Sequence, residues 1–161
     1  MCRIIINNSF QIFGGVKLKK IITLLFTIVL LAGCSETTNN DYIFSGESES
    51  WEAEFTYNGT EIWKEKNGIK TYTNEDRHRF VLKYKGSLEE LSSLQKIEYS
   101  YDTFSSSGKT IEEFTDPPST VTFSSSGGSK GGAKLGEDEV ILVNVKWDDL
   151  EETFKLHNNS K

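Results

Sequence analysis

The segment Trp51–Tyr57, which reads Trp-Glu-Ala-Glu-Phe-Thr-Tyr, decides the fold class. Apolar and polar residues alternate one by one in it, so every apolar side chain projects from the same side of an extended chain. This period of two predicts a β-strand with one buried face and one exposed face.

The same alternation recurs along the chain and predicts further strands in the segments 77–84, 96–102, 109–114, 120–123, 140–147 and 151–156. In the segment 140–147 one face is apolar throughout, and the other is apolar only at Val140 and Leu142. This pattern predicts burial on both faces where that strand begins. Leu88–Leu94, with Ser87 as its N-cap, is the one short helical turn that we expect.

Two Asn-Gly pairs predict tight hairpin turns, at Asn58-Gly59 and at Asn67-Gly68. The second turn pairs Trp63 with Tyr72, and the two turns together predict a meander of three strands. The segment 124–136 is rich in Gly, Ser and Lys and is predicted to be a loop. Residues 47–158 are therefore expected to form an all-β domain, a mostly antiparallel β-sandwich that is immunoglobulin-like or similar.

The N-terminal part contains a different signal. From Val16 it runs through three lysines into the apolar segment 21–31 and then into Ala32-Gly33-Cys34. A basic start, an apolar run and small residues at the end are typical of a secretory signal peptide. The apolar run is shorter than the roughly 20 residues that span a bilayer.

Leu31-Ala32-Gly33-Cys34 resembles the lipobox of bacterial lipoproteins. The resemblance implies that the Cys34 thiol receives a diacylglyceryl group, that the chain is cut just before Cys34, and that the new amine can carry a further acyl chain such as palmitate. It predicts a helical signal peptide with an N-terminal extension in residues 1–33, and a lipidated cysteine with a flexible tether in residues 34–46. Two or more acyl chains anchor a protein stably to a membrane.

Two alternatives stay open for this region. Translation can begin at Met1, Val16 or Leu18, and the apolar run can be an uncleaved anchor or a buried helix. Farther along, the segment 143–156 is similar to the final hairpin of small lipoproteins from Bacillus-type bacteria, a resemblance that implies no functional residues.

Charge and cysteine content limit the function. Four of the 18 basic residues and none of the 24 acidic ones precede Cys34, so the rest of the chain has a net charge of −10. An acidic domain is poorly suited to bind nucleic acid or an anionic membrane surface. Cys2 and Cys34 are the only cysteines, so no disulfide is expected within the domain.

The motifs of common catalytic and cofactor sites are incomplete. Gly108-Lys109-Thr110 has the end of a phosphate-binding loop, but Thr103 stands where its first glycine belongs. The spacing of a calcium-binding EF-hand and the elbow of a serine hydrolase are absent. His78 and His157 are the only histidines, too few for a typical zinc site in a chain whose Cys34 carries lipid. We expect no cofactor, no metal and no enzymatic activity.

Two features indicate binding instead. Trp63 and Tyr72 are predicted on the outer face of the hairpin, where aromatic rings pair across strands or bind a ligand. Phe104–Gly108 and Phe123–Gly127 both read Phe-Ser-Ser-Ser-Gly, and two similar loops at one end of a domain can form a binding rim. Lys130 and Lys134 extend the candidate surface.

The sequence therefore predicts a lipoprotein on the extracytoplasmic face of the cell membrane. We expect a non-catalytic binding or protein-interaction module with an envelope protein as a candidate partner, and no nucleic acid. The alternatives are a small envelope hydrolase with a carboxylate-based site and a protective or inhibitory lipoprotein.

Overall fold

The computed structural model describes residues 34–160, and strands hold 67% of them with no helix. The predicted all-β class is therefore confirmed. The strands are β1 (Cys34–Glu47), β2 (Trp51–Lys66), β3 (Ile69–Tyr84), β4 (Lys96–Asp102), β5 (Ser107–Glu113), β6 (Thr122–Lys130), β7 (Ile141–Trp147) and β8 (Leu150–Asn158).

All eight strands belong to one sheet, in the order β5-β4-β7-β8-β1-β2-β3-β6. The predicted sandwich is not confirmed, because the strands follow one another in a continuous sheet instead of dividing into two packed layers. The chain separates into two compact units. The larger one contains residues 38–61 and 73–160, and the described part of the smaller one contains residues 34–37 and 62–72.

In the larger unit the antiparallel sheet curls until it is nearly closed into a barrel. Strands that are distant in the sheet order come together across its interior: the ring of Phe80 on β3 lies 5.9 Å from that of Tyr99 on β4, and Phe55 on β2 lies 5.0 Å from Tyr101. The interior is apolar, with Trp51, Phe44 and Phe80 fully buried. Among the described residues no charged side chain is buried, so apolar burial holds this interior together.

The predicted flexible tether needs correction, because residues 34–46 lie within β1. Phe44 is fully buried, and Tyr42 packs against the same core. The side chains of Asn39, Asn40 and Asp41 hydrogen-bond to β2 partners. Two aromatic residues at a spacing of two and polar partners on the neighbouring strand hold this segment in the sheet.

The predicted turn at Asn58-Gly59 is wrong, because β2 continues through both residues. Neither residue has the positive φ that a type I′ turn requires. The Asn58 amide donates a hydrogen bond of 2.9 Å to Asp41 on the neighbouring strand. Pairing with β1 therefore overrides the local turn preference, and the predicted three-strand meander is replaced by two long strands.

The turn at Asn67-Gly68 is confirmed. Both residues have positive φ, 54° and 75°, and exactly these two residues separate β2 from β3. Trp63 and Tyr72 meet across the resulting hairpin, with ring centroids 4.6 Å apart. Positive φ at both central positions is the condition under which a two-residue loop matches the twist of its strands.

Two further predictions need correction. The segment 124–136, predicted to be a loop, supplies most of β6, which pairs with β3 from Glu75↔Lys130 to Lys83↔Thr122. At the start of β7 only one face is buried, because Leu142 is 41% exposed, and Val140 directly before the strand is 44% exposed. Apolar content alone therefore overestimated the burial of this strand.

The segment after β3 is close to its prediction but forms no helix. Leu91, Ser92 and Leu94 each donate a backbone hydrogen bond to the residue three positions earlier. Ser87 caps the segment: its hydroxyl accepts a hydrogen bond from the Glu90 backbone, and the Glu90 carboxylate accepts one from the Ser87 backbone. This reciprocal pair is a capping box at the start of successive turns.

Candidate functional site

The larger unit contains a small cavity of about 190 Å³, here called the His78 pocket. Aromatic rings form one side of it, and hydroxyl groups, small residues and one carboxylate form the rest. Its lining residues are Phe55, Tyr57, Asp76, His78, Ser105, Ser106, Gly128, Ser129, Gly132, Ala133 and Leu135. The first Phe-Ser-Ser-Ser-Gly segment contributes Ser105 and Ser106 to this lining. Gly128 and Ser129, which directly follow the second segment, line the same pocket.

The glycines of these two segments make room for a pair of aromatic side chains. In the sheet Gly108 lies opposite Tyr101, and Gly127 lies opposite His78. A methyl group on Gly108 would meet the Tyr101 ring at 2.4 Å, and one on Gly127 would meet the His78 ring at 2.9 Å. Both distances are shorter than real carbon contacts, so each position requires glycine for the ring to lie there.

The two rings meet above these glycines. The Tyr101 hydroxyl and Nε2 of His78 are 2.6 Å apart and share a hydrogen bond. His78 also stacks on Phe55, with centroids 5.2 Å apart and ring planes 14° from parallel. The pair joins β3 to β4, two strands that are not neighbours in the sheet order, and it supports the aromatic side of the pocket.

The environment favours a neutral His78. Burial lowers the pKa of His78 below its ordinary value of 6.5, and the negative charge of Asp76 opposes this change only partly. A neutral imidazole has one N–H donor and one acceptor nitrogen. Because Nε2 is bonded to Tyr101, Nδ1 is the ring nitrogen that can still donate or accept one hydrogen bond.

Tyr57 and Leu135 form a second part of the lining. The Leu135 backbone N–H donates a hydrogen bond of 3.3 Å to the Tyr57 hydroxyl, and Leu135 is only 3% exposed. The Tyr57 ring stacks on Tyr42, with centroids 6.0 Å apart. Burial raises the pKa of Tyr57, so its hydroxyl keeps its proton at neutral pH.

Asp76 is the one acidic residue that lines the pocket. It accepts a hydrogen bond from the Ser129 hydroxyl across the β3–β6 pair. Burial is the larger cause of the pKa shift at both Tyr57 and His78; the negative charge of Asp76 adds to the rise at Tyr57 and opposes the lowering at His78. Lys134 exerts the opposite effect on Tyr57 but is itself ion-paired with Glu61 at 2.8 Å.

These contacts do not form a nucleophilic relay. In a relay, a histidine bonds to a serine nucleophile on one side and to an orienting carboxylate on the other. Here Nε2 of His78 bonds to Tyr101, and Asp76 bonds to Ser129. The imidazole and the carboxylate are therefore bonded to two different hydroxyl groups and not to one another.

The sequence-predicted surface residues lie outside this pocket. Trp63 and Tyr72 contact one another in the smaller unit. In the larger unit Lys130 pairs with Glu75 at 3.3 Å, and Lys134 pairs with Glu61. Each lysine is therefore occupied by a different carboxylate.

The pocket residues that sequence reasoning missed are Phe55, Tyr57 and Asp76, and it also missed Tyr101, which bonds to His78. The three aromatic residues appear in the sequence as ordinary inward residues of alternating strands. The signal that pointed to the pocket was the repeated Phe-Ser-Ser-Ser-Gly segment, because Ser105 and Ser106 of the first copy line the pocket and Gly128 and Ser129 directly follow the second.

The predicted lipobox lies almost wholly before the first described residue. Leu31, Ala32 and Gly33, with the rest of the predicted signal peptide, lie outside the described residues, and Cys34 begins β1. Between residues 34 and 160 no group of three or more His, Cys, Asp or Glu side chains is arranged to hold a metal ion. In the same part of the chain no helix is long and apolar enough to cross a membrane.

Comparison of this chain with protein-family models, with curated proteins and with solved structures finds no match. Its candidate function therefore depends on the geometry described above.

Proposed function

We propose that this chain is a lipid-anchored, non-catalytic binding module on the extracytoplasmic face of the cell membrane, and that its His78 pocket binds the amine group of a small ligand. The observation that carries the binding proposal is the lining of one pocket by Ser105 and Ser106 of the first Phe-Ser-Ser-Ser-Gly segment together with Gly128 and Ser129, which directly follow the second. The glycines of the two segments make room for the paired rings of Tyr101 and His78, of which His78 belongs to the lining. The lipobox resemblance at residues 31–34 supports the anchor.

The charge of the pocket favours a cationic group. Asp76 provides a negative charge, while His78 is held neutral and no lysine or arginine is part of the lining. Aromatic faces also attract cations. The net charge of −10 on residues 34–161 adds a field of the same sign.

The size of the pocket limits what part of a ligand enters it. Pockets for drug-sized molecules measure roughly 300–1,000 Å³, whereas this cavity measures about 190 Å³. It accommodates a terminal group, such as a lysine side chain or the free amino end of a short peptide. The serine hydroxyls at its edge can bond to the neighbouring peptide groups.

The experiment is a titration of the full chain, purified in detergent, with Nα-acetyl-lysine methyl ester, which has one amine. The matched probe is Nα,Nε-diacetyl-lysine methyl ester, which has the same chain and no amine. A ligand that binds only the folded state raises its stability by RT ln(1 + [L]/Kd), so thermal melts and calorimetry report the same constant. We expect binding of the charged probe and at least about tenfold weaker binding of the diacetylated one.

Two variants make the test specific. Asp76→Asn removes the pocket carboxylate and should weaken binding by about tenfold or more, since a charged hydrogen bond contributes roughly 1.5–3 kcal/mol. Glu75→Gln is the matched control, because Glu75 precedes Asp76 and bonds to Arg77 and Lys130 outside the pocket. Equal affinity of Asp76→Asn and the unaltered chain would refute the amine site. Turnover that Asp76→Asn abolishes would favour the hydrolase alternative.

A further inference from the structure

The hairpin at the end of β2 and β3 has exposed apolar residues that its fold does not require for a core. We call residues 62–72 the hairpin arm. Trp63 is 47% exposed, Ile69 68% and Tyr72 41%, and the two aromatic rings contact one another. Trp and Tyr have an apolar body and a polar end, which is the reason that they concentrate at membrane–water interfaces.

The arm is also basic in an acidic protein. It contains Lys64, Lys66 and Lys70 against the single acidic residue Glu65, while residues 34–161 as a whole have a net charge of −10. All three lysines are exposed, and none takes part in an ion pair within residues 34–160. The net charge of the domain argues against contact with an anionic surface, but the local charge of the arm favours it.

The arm shares its compact unit with the start of β1. Residues 34–37 and 62–72 belong to the smaller unit, and β1 and β2 are neighbours in the sheet. Cys34 is the residue at which the proposed lipid would be attached. A lipid at that position would bring the arm to the surface of the bilayer.

We propose that the hairpin arm docks on the anionic phospholipid surface of the membrane that holds the anchor. Trp63, Tyr72 and Ile69 lie at the level of the lipid headgroups, and the three lysines contact lipid phosphates. This inference rests on the proposed anchor for its location, but its chemistry is independent of the anchor. A lysine near an anionic membrane strengthens binding, and the effect decreases with salt within a Debye length.

Tryptophan fluorescence provides a selective test. The chain has three tryptophans, and Trp51 and Trp147 are 0% and 8% exposed. Lipids with brominated acyl chains quench the fluorescence of only those tryptophans that enter the bilayer surface. Because Trp51 and Trp147 are buried in the protein, any quenching comes from Trp63. The full chain is reconstituted into vesicles of brominated phosphatidylglycerol and phosphatidylcholine, and into brominated phosphatidylcholine vesicles as the uncharged comparison.

We expect strong quenching of Trp63 in the vesicles with phosphatidylglycerol and weaker quenching in vesicles of phosphatidylcholine alone. High salt should remove this difference, because it screens the attraction between the lysines and the lipid phosphates. Trp63→Phe should abolish the quenching. Absence of quenching in an anchored chain, or equal quenching with both lipids, would overturn the proposal. Either result would direct attention to a protein partner for the exposed aromatic pair.

Charge variants measure the contribution of the lysines. Lys64→Gln, Lys66→Gln and Lys70→Gln together should reduce the partitioning of an unlipidated chain into anionic vesicles by about a hundredfold. The control combines Lys109→Gln, Lys146→Gln and Lys155→Gln, which changes the net charge equally on exposed strands of the larger unit. Equal loss in both variants would mean that net charge, and not the arm, controls binding.

The same set of proteins separates failure of the arm from failure of the anchor. Cys34→Ala removes the lipidation site and leaves the arm intact, but it also keeps the apolar segment 21–31, which can enter a bilayer by itself. Quenching of Trp63 in this variant that is stronger in phosphatidylglycerol vesicles than in phosphatidylcholine vesicles, and that is lost when Lys64, Lys66 and Lys70 are also changed to Gln, would support the arm even if the unaltered chain proved to carry no lipid. A lipidated chain without quenching would retain the anchor and reject the arm.

Discussion

His78 shows how one position combines packing, polarity and charge. Its ring stacks on Phe55, hydrogen-bonds to Tyr101 and requires glycine at position 127. The hydrogen bond restricts the ring more than apolar packing alone would, because a hydrogen bond has a direction. A histidine inside β3 thus becomes the link between two strands that are not sheet neighbours.

The lowered pKa of His78 predicts a pH dependence of stability. The unfolded chain binds a proton near the ordinary value of 6.5, whereas the folded chain binds it only at lower pH. Between these two values the unfolded state holds more protons, so stability falls as the pH falls. We expect the melting temperature to decrease from about pH 7.5 to about pH 5.5, as measured by circular dichroism.

The matched variants for this dependence are His78→Gln and His157→Gln. His157 is exposed on β8 and serves as the control. His78→Gln should flatten the dependence in this range, and His157→Gln should preserve it. An unchanged pH slope in His78→Gln would show that another group titrates.

Gly108 offers a second prediction at the residue scale. In Gly108→Ala the new methyl group would lie 2.4 Å from the Tyr101 ring, which Phe55 and Phe80 hold from other sides. Overpacking of this kind costs about 1–3 kcal/mol, measurable by chemical denaturation. Gly136→Ala is the control, because nothing lies within 4 Å of its added carbon. Equal stability of the two variants would contradict the close packing described here.

At the scale of elements, the joint between β1 and β8 connects the two halves of the sheet. The pairing is short, with the registers Phe44↔Asn158 and Ser45↔His157. Gly46 follows directly, and a methyl group there would lie 2.1 Å from the Lys155 backbone carbonyl oxygen. A backbone atom cannot rotate away as the end of a side chain can.

Gly46→Ala should therefore separate β1 from β8 or strain the joint. We expect a loss of unfolding free energy of at least about 1–3 kcal/mol, together with faster hydrogen exchange of the amides in residues 43–45 and 157–159. Faster exchange confined to the joint would distinguish this effect from general destabilisation. A change within about 0.5 kcal/mol, as is usual for exposed positions, would mean that the two strands can move apart without cost.

The elements also differ in how far the sequence predicts them. The alternation in 96–102 corresponds exactly to β4, and the Asn67-Gly68 turn is where it was predicted. The Asn58-Gly59 turn and the tether at 34–46 were wrong, because β1 and β2 are hydrogen-bonded neighbours in the sheet. Pairing between distant segments is a tertiary contact, and local turn propensity is too weak to prevent it.

At the scale of the whole molecule, the acylation of Cys34 stays a prediction. Cys34→Ala removes the thiol that the lipobox resemblance requires. We expect loss of radiolabelled fatty acid and persistence of the uncleaved precursor, both visible by gel electrophoresis of cells grown with labelled palmitate. Ser35→Ala, next to the predicted cleavage site, should retain both the labelling and the cleavage. Labelling that survives in Cys34→Ala would refute the anchor.

The sequence by itself determined the all-β class, the inward and outward faces of most strands and the hairpin at Asn67-Gly68, because all three depend on alternation or on two adjacent residues. It also indicated the paired Phe-Ser-Ser-Ser-Gly segments. Only the tertiary structure decided that the strands form one curled sheet, that β1 belongs to it, and that the two glycines lie under Tyr101 and His78. These outcomes depend on contacts between residues that are far apart in the chain, which no local pattern contains.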